Sequence, residues 1–91
     1  MLHLFIVNPV AGRGKALKQV KLIKTLCKEE KIDFKIIVTK HPKHATEIAK
    51  EYSEKDCIVY SVGGDGTLFE VINGLVNTNI PVCMVPARFW K

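Results

Sequence analysis

Residues 57–76 read CIVYSVGGDGTLFEVINGLV, and this stretch decides the fold. Cys57–Val62 is apolar nearly throughout, as expected of a strand covered on both faces. Gly63, Gly64, Asp65 and Gly66 turn the chain, and Thr67–Val76 reads as a helix. A strand that passes through a glycine-rich turn into a helix is half of a β–α–β unit, and such units build parallel sheets.

The same alternation runs outward in both directions. Leu2–Val7 is an apolar strand ended by Asn8-Pro9. Lys15–Lys31 contains neither Gly nor Pro, and Lys18, Lys21, Lys24, Lys28 and Lys31 recur at steps of three and four. Leu17, Val20, Ile23, Leu26 and Cys27 share the other side, which predicts an amphipathic helix with those residues inward. Phe34–Thr39 predicts a second strand, stopped by His41-Pro42, and Ala45–Glu54 a second helix with Ile48, Ala49 and Tyr52 inward. Pro81–Pro86 brackets a fourth short strand. The predicted class is α/β: an open, mostly parallel sheet of about four strands with helices on both faces, joined by right-handed crossovers.

Composition narrows the function. A length of 91 residues bounds the chain to one domain, and 47% hydrophobic content excludes a disordered one. No uninterrupted apolar run exceeds that of Leu4–Val7, far short of the roughly 20 residues that span a bilayer. With no secretory leader legible, the expectation is a soluble, cytoplasmic chain. The net charge of +5 is uneven: residues 1–45 carry +7 and residues 46–91 carry −2. Most of the lysines fit one solvated helix face. An anionic membrane surface is a candidate partner for it, whereas no aromatic stacking pattern supports nucleic acid. Cys27, Cys57 and Cys83 show no metal-ligand spacing and sit in apolar segments, so they are expected to be buried, reduced thiols. His3, His41 and His44 have no evident sequence partner and receive no catalytic role.

Open parallel sheets bind ligands beyond the carboxyl ends of their strands. Two unusual turns fall there: Asn8-Pro9-Val10-Ala11-Gly12-Arg13-Gly14-Lys15 after the first strand, and Gly63-Gly64-Asp65-Gly66-Thr67 after the third. Such turns let main chain approach a phosphate closely, and the helix that follows offers unpaired N–H groups. A Walker A loop would need Gly at position 9 and Ser or Thr at 16, where the chain has Pro and Ala. A dinucleotide fingerprint would need Gly or Ala at 17, where the chain has Leu.

Asn8-Pro9-x-x-Gly12-x-Gly14-Lys15 is similar to the opening motif of the diacylglycerol kinase catalytic domain. Gly63-Gly64-Asp65-Gly66-Thr67-Leu68-x-Glu70-Val71-x-Asn73-Gly74-Leu75 resembles that family's main nucleotide-binding signature. The resemblance implies ATP-dependent phosphoryl transfer to a lipid hydroxyl, with Mg2+. It assigns nucleotide binding to Asn8, Gly12, Gly14, Thr39, Gly63, Gly64, Asp65, Gly66, Thr67 and Glu70. It gives Asp65 the catalytic task of positioning ATP and its metal, and no residue a permanent metal-ligand role. Asp65 also suits a helix N-terminus on electrostatic grounds alone. Thr67 and Glu70 have capping-box spacing, so Glu70 is divided between capping and ligand work. Asn73 is expected to be buried and to support the turn.

The resemblance covers residues 2–87. Beyond it the family continues with a Gly-Thr-rich turn and a β-rich domain that supplies the general base, whereas Arg88–Lys91 reads as a tail departing from the pattern. The expectation is therefore residues 1–87 as the nucleotide-binding part of a lipid kinase, truncated and inactive alone. An exposed sheet edge is expected to drive homo-oligomerisation through the fourth strand or third helix. Two alternatives share the turn chemistry: a relative of NAD kinase, and a non-catalytic nucleotide-binding or dimerisation module.

Overall fold

The structure is a computed structural model that describes residues 1–86; the 88–91 tail and Ala87 lie outside the described residues. Four strands form one sheet: β1 (Leu2–Val7), β2 (Phe34–Val38), β3 (Cys57–Gly63) and β4 (Val82–Pro86). Their order is β2-β1-β3-β4 and every pairing is parallel. The helices are α1 (Lys15–Glu29), α2 (His44–Glu51) and α3 (Asp65–Gly74), with a short 3-10 turn at Ala11–Gly14 ahead of α1.

Alternation along the inner strands splits the core in two. Leu4 and Ile6 of β1, with Cys57 and Val59 of β3, face Ala45, Ile48 and Ala49 of α2 and Val71 and Leu75 of α3. Phe5, Val7 and Val62 face Ala16 and Cys27 of α1. Helices thus cover both faces of the sheet, as the apolar strands require. The crossover from β1 to β2 lies on one face and the crossover from β2 to β3 on the other. The chain therefore changes sides between β1 and β3, which is where open α/β sheets leave a crevice.

Helix boundaries and faces depart from the sequence expectations in instructive ways. Helix α3 begins at Asp65, two residues before Thr67, so Gly66 lies inside its first turn; it ends at Gly74 rather than Val76. Helix α2 runs from His44 and closes at Glu51 rather than Glu54. On α1 the inner stripe is Ala16, Gln19, Val20, Ile23 and Cys27, while Leu17 and Leu26 are exposed. The helix meets one sheet face, so its buried stripe is narrow, and Leu17 and Leu26 flank it on opposite sides, about 100° and about 75° from its centre. Gln19 takes a buried place because its Nε2 donates to Pro86 O at 3.3 Å. Cys27 and Cys57 are buried, and burial pushes both thiols up in pKa, with the Asp56 charge adding to the effect at Cys57. Cys83 is exposed, contrary to expectation, because β4 is the edge strand among the described residues.

Helices α2 and α3 touch at a glycine. A Cβ built on Gly74 would stand 2.5 Å from Ala49 Cβ and 2.6 Å from Thr46 O, so only glycine allows this approach. Thr46 Oγ1 donates to Glu70 O at 2.7 Å and fixes the sliding position of the pair. The outer side of α3 is apolar and uncovered: Phe69 and Ile72 are 66% and 46% exposed, and Val76, just past the helix end, is 58% exposed. Asn73 lies on that exposed side, not buried as expected. No described helix is long and apolar enough to cross a membrane.

Candidate functional site

Both glycine turns lie at the carboxyl edge of β1 and β3, and they meet. Asn8 N–H donates to Val62 O at 3.0 Å, and Asn8 Nδ2 donates to Thr67 Oγ1 at 3.4 Å, bridging the first turn to α3. Asn8 Oδ1 accepts the Val10 N–H at 3.2 Å, which curls the first turn back on itself. A Cβ on Gly63 would stand 2.7 Å from Thr67 Oγ1 and 3.5 Å from Ala11 Cβ, so the buried Gly63 is the point of contact between the turns.

The glycines of the two turns serve different needs. Gly12, Arg13 and Gly14 all have positive φ, at 60°, 58° and 89°. That left-handed run is natural for glycine and costly for other residues. In the second turn neither Gly64 nor Gly66 has a left-handed φ, and a Cβ on either would meet nothing within 4 Å. Neither backbone conformation nor crowding within the described chain requires glycine at these two positions. The N-cap of α3 is Gly64, and no side chain among the described residues caps this helix, so its first-turn N–H groups have no side-chain partner. Thr67 and Glu70 consequently do not form a capping box: the helix begins too early for Thr67 to occupy the cap.

A cavity of about 360 Å³ opens beside these turns. Asn8, Pro9 and Val10 line it from the first turn, Thr39, Lys40, His41 and Pro42 from the β2–α2 connection, and Ala45, Thr67 and Glu70 from the helices. Of the residues singled out from sequence, the structure gathers Asn8, Thr39, Thr67 and Glu70 around this cavity. Gly12, Gly14, Gly63, Gly64, Asp65 and Gly66 belong to the adjoining turns and do not line it. Asp65 is exposed in the first turn of α3, and neither it nor Glu70 forms an ion pair among the described residues. No group of three His, Cys, Asp or Glu side chains suited to hold a metal occurs among the described residues.

Sequence reasoning passes over Lys40, His41 and Pro42. The available signal is their position: they directly follow Thr39 at the carboxyl end of β2, the edge where ligands bind. The histidines also have partners invisible in the sequence. His3 Nδ1 lies 2.8 Å from Tyr60 Oη, and the Phe5 and Tyr60 rings stack at 4.3 Å. His41 and His44 stack at 4.5 Å.

The family model described as "Diacylglycerol kinase catalytic domain" matches residues 3–87. The protein named "Putative lipid kinase YtlR" from Bacillus subtilis (strain 168) is 39% identical over 96% of this chain and 30% of its own length. Sphingosine kinase 1 of Rattus norvegicus is 33% identical over 91% of this chain and 24% of its own length. A solved structure described as a diacylglycerol kinase from Bacillus anthracis str. Sterne superimposes with a TM-score of 0.71 at 34% identity. The match covers 92% of this chain and 32% of that one. The chain thus spans about a third or less of these relatives.

Proposed function

We propose a function from one premise: this chain belongs to the diacylglycerol kinase catalytic domain family, a family of lipid kinases. In this reading residues 1–87 are the nucleotide-binding part of an ATP-dependent lipid kinase that transfers a phosphoryl group to a lipid hydroxyl. The carrying observation is the pair Gly64 and Gly66, with neither strain nor crowding to explain them, at the uncapped start of α3 beside the cavity.

Phosphoryl transfer asks a protein for positioning and charge stabilisation more than for covalent chemistry. The free N–H groups at the start of α3 would hold phosphate oxygens, and Asn8 and Thr67 would fix the crevice between the turns. Gly12 and Gly14 would shape the first turn around the same nucleotide, with Arg13 and Lys15 adding positive charge. Thr39 would bound the nucleotide from the end of β2. Mg2+ is commonly held by one or two carboxylates together with substrate phosphates rather than by an all-protein cage. The residues fit that arrangement: Asp65 is an exposed carboxylate beside the phosphate cradle, and Glu70 a second one on the cavity wall. The ion would neutralise charge developing on the transferred group.

These residues hold the nucleotide side of the reaction, and the 91-residue chain by itself is proposed to make no lipid phosphate. Two surface features support further parts of the reading. Lys15, Lys18, Lys21, Lys24 and Lys28 are exposed on α1 with no ion pair among the described residues, a surface suited to an anionic membrane on the cytoplasmic side. The uncovered Phe69, Ile72 and Val76, with Met84 on the edge strand, suit a contact with a second copy of the chain.

Titration of the purified chain with ATP and Mg2+ tests the proposal. Saturable binding that Asp65→Ala weakens at least tenfold is expected, with no lipid phosphate formed from radiolabelled ATP. Absence of binding overturns the nucleotide reading. Lipid phosphate above an Asp65→Ala control overturns the inactivity of the chain alone.

A further inference from the structure

The β2–α2 connection beside the cavity carries a pair of stacked histidines. His41 lines the cavity and His44 does not, yet their rings stack at 4.5 Å and 19°. His44 therefore backs the His41 ring. Both imidazoles are anchored. The Lys40 N–H donates to His44 Nδ1 at 2.9 Å, so the His44 proton sits on Nε2. His41 Nδ1 lies 2.8 Å from Pro42 O, which can only accept, so His41 carries its proton on Nδ1. These two contacts orient the stack without any ligand. Among the described residues His41 Nε2 has one ion-pair contact, Glu47 at 4.0 Å, with the two side chains 50% and 60% exposed. That pair is too solvated to define a role.

Resting on the reading that the crevice takes a nucleotide, we propose that His41, backed by His44, is the platform on which the nucleobase stacks. The phosphates need the open main chain of the glycine turns, so the base points away from them, toward the Thr39–Pro42 wall. There His41 and Pro42 line the cavity together with the small Ala45. A base stacked on an aromatic ring gains affinity without needing a hydrogen-bond code. The anchored stack also loses little freedom on binding, which favours affinity. His41 is thus a specificity-determining residue that distinguishes a nucleotide from a bare polyphosphate.

Calorimetric titration of the full chain with Mg·ATP, adenosine and Mg·tripolyphosphate tests this. His41→Ala is expected to weaken ATP and adenosine about tenfold, in the range of a lost base-stacking contact, and to leave tripolyphosphate unchanged. His41→Trp, which keeps a flat ring but no imidazole proton, should retain ATP affinity. His44→Ala should give a smaller loss than His41→Ala. Because both residues lie outside the core, far-ultraviolet circular dichroism should show each variant folded. An equal loss for tripolyphosphate overturns the platform and makes His41 a charge contact to phosphate. Unchanged ATP affinity in His41→Ala also overturns it. If the wild-type chain binds none of the three ligands, the nucleotide reading itself fails, which separates the two outcomes.

Discussion

The two glycine turns occupy neighbouring strand ends and look interchangeable in one-letter code, yet their glycines answer to different constraints. In the first turn the constraint is conformational: three consecutive residues have positive φ, and Arg13 among them lacks the freedom of glycine. In the second it is steric at Gly63, where Thr67 leaves no room for a Cβ, whereas at Gly64 and Gly66 the chain leaves the room empty. The proposed function assigns that empty space at Gly64 and Gly66 to the nucleotide. That distinction separates the glycine the fold requires from the two given to the proposed nucleotide site.

Replacing these glycines one at a time would break the comparison or sharpen it. The largest effect is expected at Gly63. Its added Cβ meets Thr67 Oγ1 at 2.7 Å and Thr67 Cβ at 3.1 Å, so rotation of Thr67 cannot fully clear it. Gly63→Ala should cost about 1–3 kcal/mol by urea unfolding, the usual range for overpacking. An unchanged midpoint would show that the turns are not in firm contact. Gly14→Ala comes next: at φ 89° an L side chain is strained, and a loss of about 1–2 kcal/mol is expected although nothing crowds the site. Gly66→Ala should reverse the sign. Inside the first turn of α3, alanine should raise stability by about 0.5–1 kcal/mol, while ATP affinity falls about tenfold, or about 1.4 kcal/mol. A stabilised variant that binds ATP normally would remove the argument that the empty space belongs to a ligand.

Much of this architecture is legible in the amino-acid sequence. The order of strands and helices follows from apolar runs and breakers, because strands covered on both faces admit few polar residues. The family follows from the long stretch around Gly63–Leu75, and the comparisons bear it out. Faces are less legible. Leu17 and Leu26 read as core because a hydrophobic pattern carries no record of how narrow the partner surface is. Asn73 reads as buried on the expectation that its helix is covered, whereas α3 shows an open side to solvent. Glu70 is divided between cap and ligand by spacing alone, and the helix start at Asp65 removes the capping role.

The histidines mark the other limit. In the sequence His41 and His44 are lone side chains, but Lys43 at φ 68° turns the chain so that the two rings stack beside the cavity. Three-residue spacing in a loop does not encode that meeting.

What the sequence determined by itself was the class of fold, the edge of the sheet that matters and the family, since these rest on periodicity and on a long ordered motif. What the tertiary structure decided was which glycines the packing or the backbone requires and which stand beside open space, and which side chains share one cavity. Those depend on distances between segments remote in sequence, such as Asn8 to Thr67 or Gly63 to Ala11. No local pattern holds such distances, because they are set by how the sheet packs its two layers of helices.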